Sequence, residues 1–142
     1  MNEKSLTAKD YPIAETRPDN VVGARGRSIN DLTIDAVVSG DVTMEDLRIT
    51  PQALLNQANI ARSVERTVLS ANFARAAEMT QVPQEDVVRV YELLRPGRAA
   101  SKEELLKAAA HLRETYRADR LATFVEEAAD VYERRGLYRH RF

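Results

Sequence analysis

The sequence predicts an all-α fold: a small helical domain of about four main helices, residues 31–142, behind an extended, irregular N-terminal arm, residues 1–30. Three observations predict it. From Leu54 onward apolar residues recur at three- and four-residue steps, the period of an amphipathic helix. No segment alternates polar and apolar residues for long, as a half-buried strand would. The first thirty residues hold two prolines, two glycines and no sustained period, so no regular structure is expected there.

The arm contains one apolar knot, Tyr11, Pro12 and Ile13. It would anchor the arm either on its own domain or on another surface. Two short helical turns follow. "LTIDAVVSG" offers Thr33 as a cap and Gly40 as a left-handed stop. "VTMEDL" places Asp46 three residues after Thr43, the spacing of a capping box. Thr50 and Pro51 then open a long helical region, because threonine caps well and proline suits the first helical position. Leu54, Ala58, Ala61, Val64, Val68, Phe73, Ala76 and Ala77 form its apolar stripe. The region 51–80 exceeds the usual helix length, and its stripe changes phase near 63–67, where a break is expected.

Pro83 ends that region and starts the next helix, with Val87, Tyr91 and Leu94 on one face and Glu85–Arg89 as a surface pair. Pro96 and Gly97 terminate it. Ser101 and Glu104 form a capping box before a stripe of Leu105, Ala109, Leu112 and Tyr116, with Leu106 beside it. The last helix, 119–135, uses Leu121, Phe124, Val125, Ala128, Val131 and Tyr132, and stops at Gly136.

Composition narrows the function. A chain of 142 residues suits one domain. Apolar residues make up 44% and charged residues 30%, a globular balance. The apolar share includes 20 Ala, three Phe and no Trp. Alanine packs helices closely but buries little area, so the core is modest. That suits a subunit that completes its burial on another chain. The net charge of −1 gives no basic excess for nucleic acid or an acidic membrane. The one basic cluster, "ERRGLYRHRF", reads as a solvated helix end with cations near the negative pole of the dipole. The absence of cysteine excludes disulfides, thiolate catalysis and Cys-ligated metals. The sequence has neither a signal-like apolar run at its start nor a stretch of membrane-spanning length, so a cytoplasmic location is expected.

No constellation points to autonomous catalysis. His111 lies mid-helix with Glu114 in reach, too few groups for acid–base or metal chemistry. His140 belongs to the terminal tail. The pairs Glu103–Glu104 and Glu126–Glu127 are adjacent, and adjacent helical residues point about 100° apart. "GARG" at 23–26 follows no strand and opens no helix, so it is no phosphate loop. Expected catalytic, cofactor-binding and metal-ligating residues are therefore none. Polar residues do decorate apolar corners: Arg48 beside Ile49, Asn72 beside Phe73, Arg95 before Pro96. These either pin carbonyls in turns or form contacts with a partner, since arginine beside apolar groups is typical of interface anchors.

The segments "MEDLRITPQALLNQANIARS", "NFARAAEMTQVPQEDVVRVYELLRPGRAASKEELLKAA" and "FVEEAADVYERRGL", with "DYPIA" near the start, resemble the small (gamma) subunit of adenosylcobalamin-dependent glycerol dehydratase and propanediol (diol) dehydratase. The resemblance runs from Asp10 to Leu137, and "RITP" and "YELLRP" in this order are its specific part. It implies a dimer of heterotrimers made of large (alpha), medium (beta) and small chains. In such enzymes the large chain is a barrel holding substrate and catalytic groups, and cobalamin sits between the large and medium chains. The small chain is helical, packs mainly on the large one and supplies no catalytic residue. The assembled enzyme would convert glycerol to 3-hydroxypropanal and water, or 1,2-propanediol to propanal and water. Its cofactor's cobalt–carbon bond breaks to give the radical that starts the chemistry. Propanediol-type small subunits carry a longer N-terminal extension linked to packaging in a bacterial microcompartment. Only a short stretch precedes "DYPIA" here, which favours a glycerol-dehydratase-like or unpackaged enzyme.

Two readings of the chain remain open at this point. One is a structural and assembly subunit of such a dehydratase. The other is a free-standing helical protein–protein interaction adaptor with no enzymatic role. On either reading the expected partner interface comprises Tyr11, Pro12, Ile13, Arg48, Ile49, Tyr91, Arg95 and Pro96.

Overall fold

A computed structural model describes residues 5–138. It is all-α: among the described residues the only extended pairing is an isolated bridge between Val22 and Ser28. The helices are α1 (Ile13–Thr16), α2 (Ile34–Val38), α3 (Met44–Leu47), α4 (Pro51–Ser63), α5 (Thr67–Met79), α6 (Gln84–Leu94), α7 (Lys102–Tyr116) and α8 (Asp119–Arg135). The expected break falls between α4 and α5, so the 51–80 region is two helices. The chain divides into two compact units, Met1–Ala77 and Glu78–Phe142.

In the first unit nothing before residue 31 is longer than a single turn. Three 3-10 turns, Ala8–Asp10, Pro18–Asn20 and Ile29–Asp31, alternate with the four-residue α1. Asp10 organises the start: its carboxylate accepts from the Thr7 backbone N–H at 2.9 Å and pairs with Arg17 at 2.8 Å. The arm is anchored on its own unit by buried Leu6 and by the Ala8 N–H, which donates to Ser63 Oγ at 2.9 Å. The Tyr11 ring stays 67% exposed.

The caps read from the sequence for α2, α3 and α4 are in place. Thr33 Oγ1 accepts from Ala36 N, and Gly40 has φ 84°. The Asp46 carboxylate closes back on Thr43 N at 2.9 Å. Thr50 Oγ1 accepts from Ala53 N at 3.1 Å, with Pro51 at the first helical position. α4 ends where Glu65 turns left-handed at φ 61°. Arg66 N then donates to Ala61 O and Glu65 N to Arg62 O, the paired bonds of a Schellman ending. Leu54, Ala58, Ala61, Ala74 and Ala77 are buried with Leu6 and Val42. Val64 and Val68 are exposed, with Ser70 and Ala74 taking the inward positions instead. The phase change at the break leaves both valines, expected in the stripe, on the outer side.

The second unit is built on α7 and α8. Lys102 at the start of α7 pairs with Asp130 at 2.8 Å and Glu133 at 2.7 Å near the end of α8. Arg113 near the other end of α7 pairs with Glu126 and with Asp119. The two helices therefore run antiparallel. Leu105, Ala109, Leu112, Ala122, Val125 and Ala129 between them have essentially no solvent exposure. Small residues let the backbones approach, and Leu105, Leu112 and Val125 supply the area. α6 adds Val90, with Val87, Leu93 and Leu94 packed against the same core. Tyr91, expected on that face, points outward and is 63% exposed. Arg89 pairs with Asp86 at 2.6 Å rather than with Glu85.

α8 has no capping side chain of its own at Ala118. Glu78 supplies one, accepting from Arg120 N at 3.2 Å and Leu121 N at 2.8 Å. The Glu104 half of the expected capping box reaches one residue further, to Ala100 N at 2.8 Å, and Ser101 makes no cap bond. Gly136 stops α8 at φ 63°.

Candidate interaction surface

Most polar side chains that looked like chemistry are taken up by the fold. His111 Nε2 lies 3.0 Å from Asp86 Oδ2, and its Nδ1 lies 3.2 Å from Thr115 Oγ1. The Tyr116 hydroxyl donates to the same Asp86 oxygen. Glu114, the acid in reach along the helix, forms no ion pair with His111; the acidic partner comes from α6. The Tyr116 and His111 hydrogen bonds, with the charge of Arg89, hold the Asp86 carboxyl below the usual aspartate range. The cluster fastens α6 to α7. Glu126 is drawn to Arg113 and Glu104 to a backbone N–H. Among the described residues no three metal-ligating side chains converge. His140 lies outside the described residues.

The "GARG" stretch has a structural use. Gly23 N donates to Arg27 O at 2.9 Å, and Gly26 takes φ 80°. The turn so formed sends Arg25 onto the buried carboxylate of Asp46 at 2.8 Å, with Arg27 at 3.8 Å. Arg25 also donates to Asp41 O at 2.7 Å. Gly23 itself must be glycine: a Cβ there would lie 2.6 Å from Asp46 O. The Thr43 N–H and these arginines hold the Asp46 carboxyl below its ordinary value. A buried carboxylate needs such hydrogen bonds and cations.

What this clip holds in place is unusual. α2 and α3 have five and four residues, and isolated helices that short are not stable in water. α2 buries no side chain at all, and α3 buries only Asp46. Ile34 is 82% exposed, Val38 81% and Met44 73%, and Val37, Leu47 and Ile49 are each more than half exposed. Caps and an ion pair on the buried Asp46 carboxylate thus maintain two helical turns whose apolar side chains face outward. The sequence reading took these turns as ordinary helix starts and missed Ile34, Val37, Val38, Met44 and Leu47 as surface residues. The signal available was length: a turn of four or five residues has no second face with which to bury so many apolar groups.

Of the expected interface residues, Arg48 and Ile49 adjoin this face directly. Both are exposed, and Arg48 pairs with Glu45 at 3.4 Å instead of a carbonyl. Tyr11 is exposed and Ile13 half-buried, and Pro12 between them is exposed. Tyr11 lines an open groove of about 640 Å³ with Ile60, Val64, Leu69, Phe73 and Arg66. Tyr91, Arg95 and Pro96 lie exposed at the end of α6 in the second unit, where Arg95 pairs with Glu92 at 3.0 Å.

Fold and surface together define an all-α protein with an apolar face presented to solvent. Residues 6–139 match the dehydratase small subunit family, and the chain belongs to it. It is 44% identical over 135 residues to the propanediol dehydratase small subunit of Salmonella typhimurium, covering 94% of this chain and 78% of that protein. The propanediol dehydratase small subunit of Citrobacter freundii is 44% identical over 134 residues, covering 92% of this chain and 77% of that one. A small subunit has partner subunits, and the exposed face belongs to a chain that assembles. No helix among the described residues is long and apolar enough to cross a membrane.

Proposed function

We propose that this chain is the small, non-catalytic subunit of an adenosylcobalamin-dependent diol dehydratase acting on 1,2-propanediol or glycerol. The observation that carries the reading is identity over nearly the whole chain to two propanediol dehydratase small subunits. Those names favour 1,2-propanediol as the substrate. The direct partner is the large subunit, with the medium subunit completing a heterotrimer that dimerises, in the cytoplasm or inside a microcompartment.

This chain's described residues do not fit the cofactor. Both ring nitrogens of His111 already face Asp86 and Thr115, so neither is free for a cobalt. The open groove is lined mainly by aliphatic side chains with one guanidinium. In this reading no step of the reaction passes through the chain, and the cofactor belongs to the partner subunits. The contribution of the small subunit is to hold its partners in their competent arrangement.

Co-expression with the large and medium subunits of a propanediol dehydratase tests the proposal. The three chains are expected to co-elute in gel filtration and to dehydrate 1,2-propanediol when adenosylcobalamin is added. The isolated chain should show no turnover. Separate elution, with the same activity whether or not this chain is present, would rule the proposal out in favour of a free-standing adaptor.

A further inference from the structure

We infer that the outward face of α2 and α3, Ile34 to Ile49, is a preformed docking surface for an apolar groove rimmed by lysine or arginine on a partner dehydratase subunit. The inference rests on the reading of this chain as a dehydratase subunit. It goes beyond that reading in naming the surface and the chemistry of what covers it.

Three observations support it. The first is exposure without internal use. Six large apolar side chains in this short segment are more than half exposed, while only Val42 and Asp46 of its residues are buried. Scattered exposed apolar residues are ordinary, but so many on two successive short helices mark a contact site. The second is preorganisation. Thr33, Gly40, Thr43 and the Arg25–Asp46 pair fix turns that have no core to fix them. A rigid segment loses less conformational freedom on association than a loose one.

The third observation is charge, and it selects the occupant. Asp31, Asp35, Asp41 and Glu45 are exposed around the apolar side chains, and Arg48 is the only cation in residues 31–49. Arg48 is paired with Glu45. Arg25 and Arg27 are turned onto the buried Asp46. Among the described residues the carboxylates of Asp35 and Asp41 form no ion pair, the Arg25 guanidinium bonding only the Asp41 backbone carbonyl. A second copy of this face would set like charges against each other. A basic rim would match them and steer association.

The test uses the full chain and the large and medium subunits of a propanediol dehydratase. Wild-type chain is titrated into the partners by native mass spectrometry, and the measurement is repeated with Val38→Asp, Ile34→Asp and the double variant Asp35→Lys/Asp41→Lys. Each apolar-to-acid change is expected to weaken association at least about tenfold, as for a central contact residue. The charge-reversal variant, which leaves every apolar contact in place, should also bind more weakly and lose part of the salt dependence. Both apolar positions are over 80% exposed, so the helical circular dichroism of the isolated variants should match wild type. Failure of wild-type chain to join the partners at all would sink the subunit reading itself. Wild-type joining, with all variants joining equally well, would overturn only this inference. Tighter binding by the lysine variant would overturn it too, as would a wild-type homodimer that Val38→Asp dissociates.

Discussion

Glu65 and Arg117 each end a helix in the left-handed region, at φ 61° and 55°. There a Cβ costs about 1–2 kcal/mol and glycine costs none. The Glu65 ending closes with the same backbone bonds that Gly136 makes after α8, while at Arg117 the N–H donates to Arg113 O and Ala118 N to Leu112 O. Gly40 and Gly136 were legible as stops because their residue type announces the conformation. Glu65 and Arg117 were not, because nothing local distinguishes them from helix-forming residues; at Glu65 the phase change of the apolar stripe was the only sign. Arg117→Gly is therefore expected to raise stability by about 1 kcal/mol or slightly less, since glycine also gains freedom in the unfolded chain. Urea denaturation of the isolated chain measures it, with Gly136→Ala as the opposite control. Asp46 gives a second prediction at this scale. The Thr43 N–H first, then Arg25 and Arg27, lower its pKa in the folded chain from the ordinary value of 3.8. A folded pKa below the unfolded one means that the contribution is present above the ordinary value and disappears as pH falls through the folded value. Thermal melts taken from neutral pH down to about pH 3 should show a shallower acid decline for Asp46→Asn than for wild type.

Elements were more legible than the faces they present. The starts of α2, α3 and α4, the break before α5, and the ends of α2 and α8 follow from side-chain chemistry contained within a few residues. Facing depends on what arrives from elsewhere, and one sequence does not show that. Val68 and Tyr91 sit at positions with the correct helical spacing and still point outward. His111 found its acid on α6 and not along its own helix. α8 is the clearest case: its cap comes from Glu78, more than forty residues earlier in the chain. Glu78→Ala leaves the Arg120 and Leu121 N–H groups without that acceptor, and should destabilise the second unit by about 0.5–2 kcal/mol, the range for a lost N-terminal cap. Glu78→Gln keeps an acceptor oxygen and should lose less. Urea unfolding followed by circular dichroism separates the two variants, and equal losses would show that the ion pair with Arg120 outweighs the cap.

Across the whole chain, the burial predicted to be modest is unevenly shared. The three largest fully buried side chains, Leu105, Leu112 and Val125, all belong to the second unit. The first unit relies on Leu6, Val42, Leu54 and four alanines, on the ion pair at the buried Asp46 carboxylate, and on caps. Few buried apolar contacts mean low local opening free energy. Amides of α2 to α4 are thus expected to exchange with deuterium faster than those of α7 and α8 in the isolated chain. Any partner that engages the folded first unit must slow that exchange by mass action. At a free partner concentration 100 times its dissociation constant, the gain is about 2.7 kcal/mol, or roughly a hundredfold in protection. Protection should rise first and most over Ile34–Ile49, while α7 and α8, already closed on their own core, change little. Hydrogen exchange followed by mass spectrometry, with and without the large and medium subunits, reads both halves in one experiment. Uniform slow exchange across the isolated chain would mean that the first unit closes on itself without a partner, and the apolar face would then be a tolerated surface and not an unfinished interface.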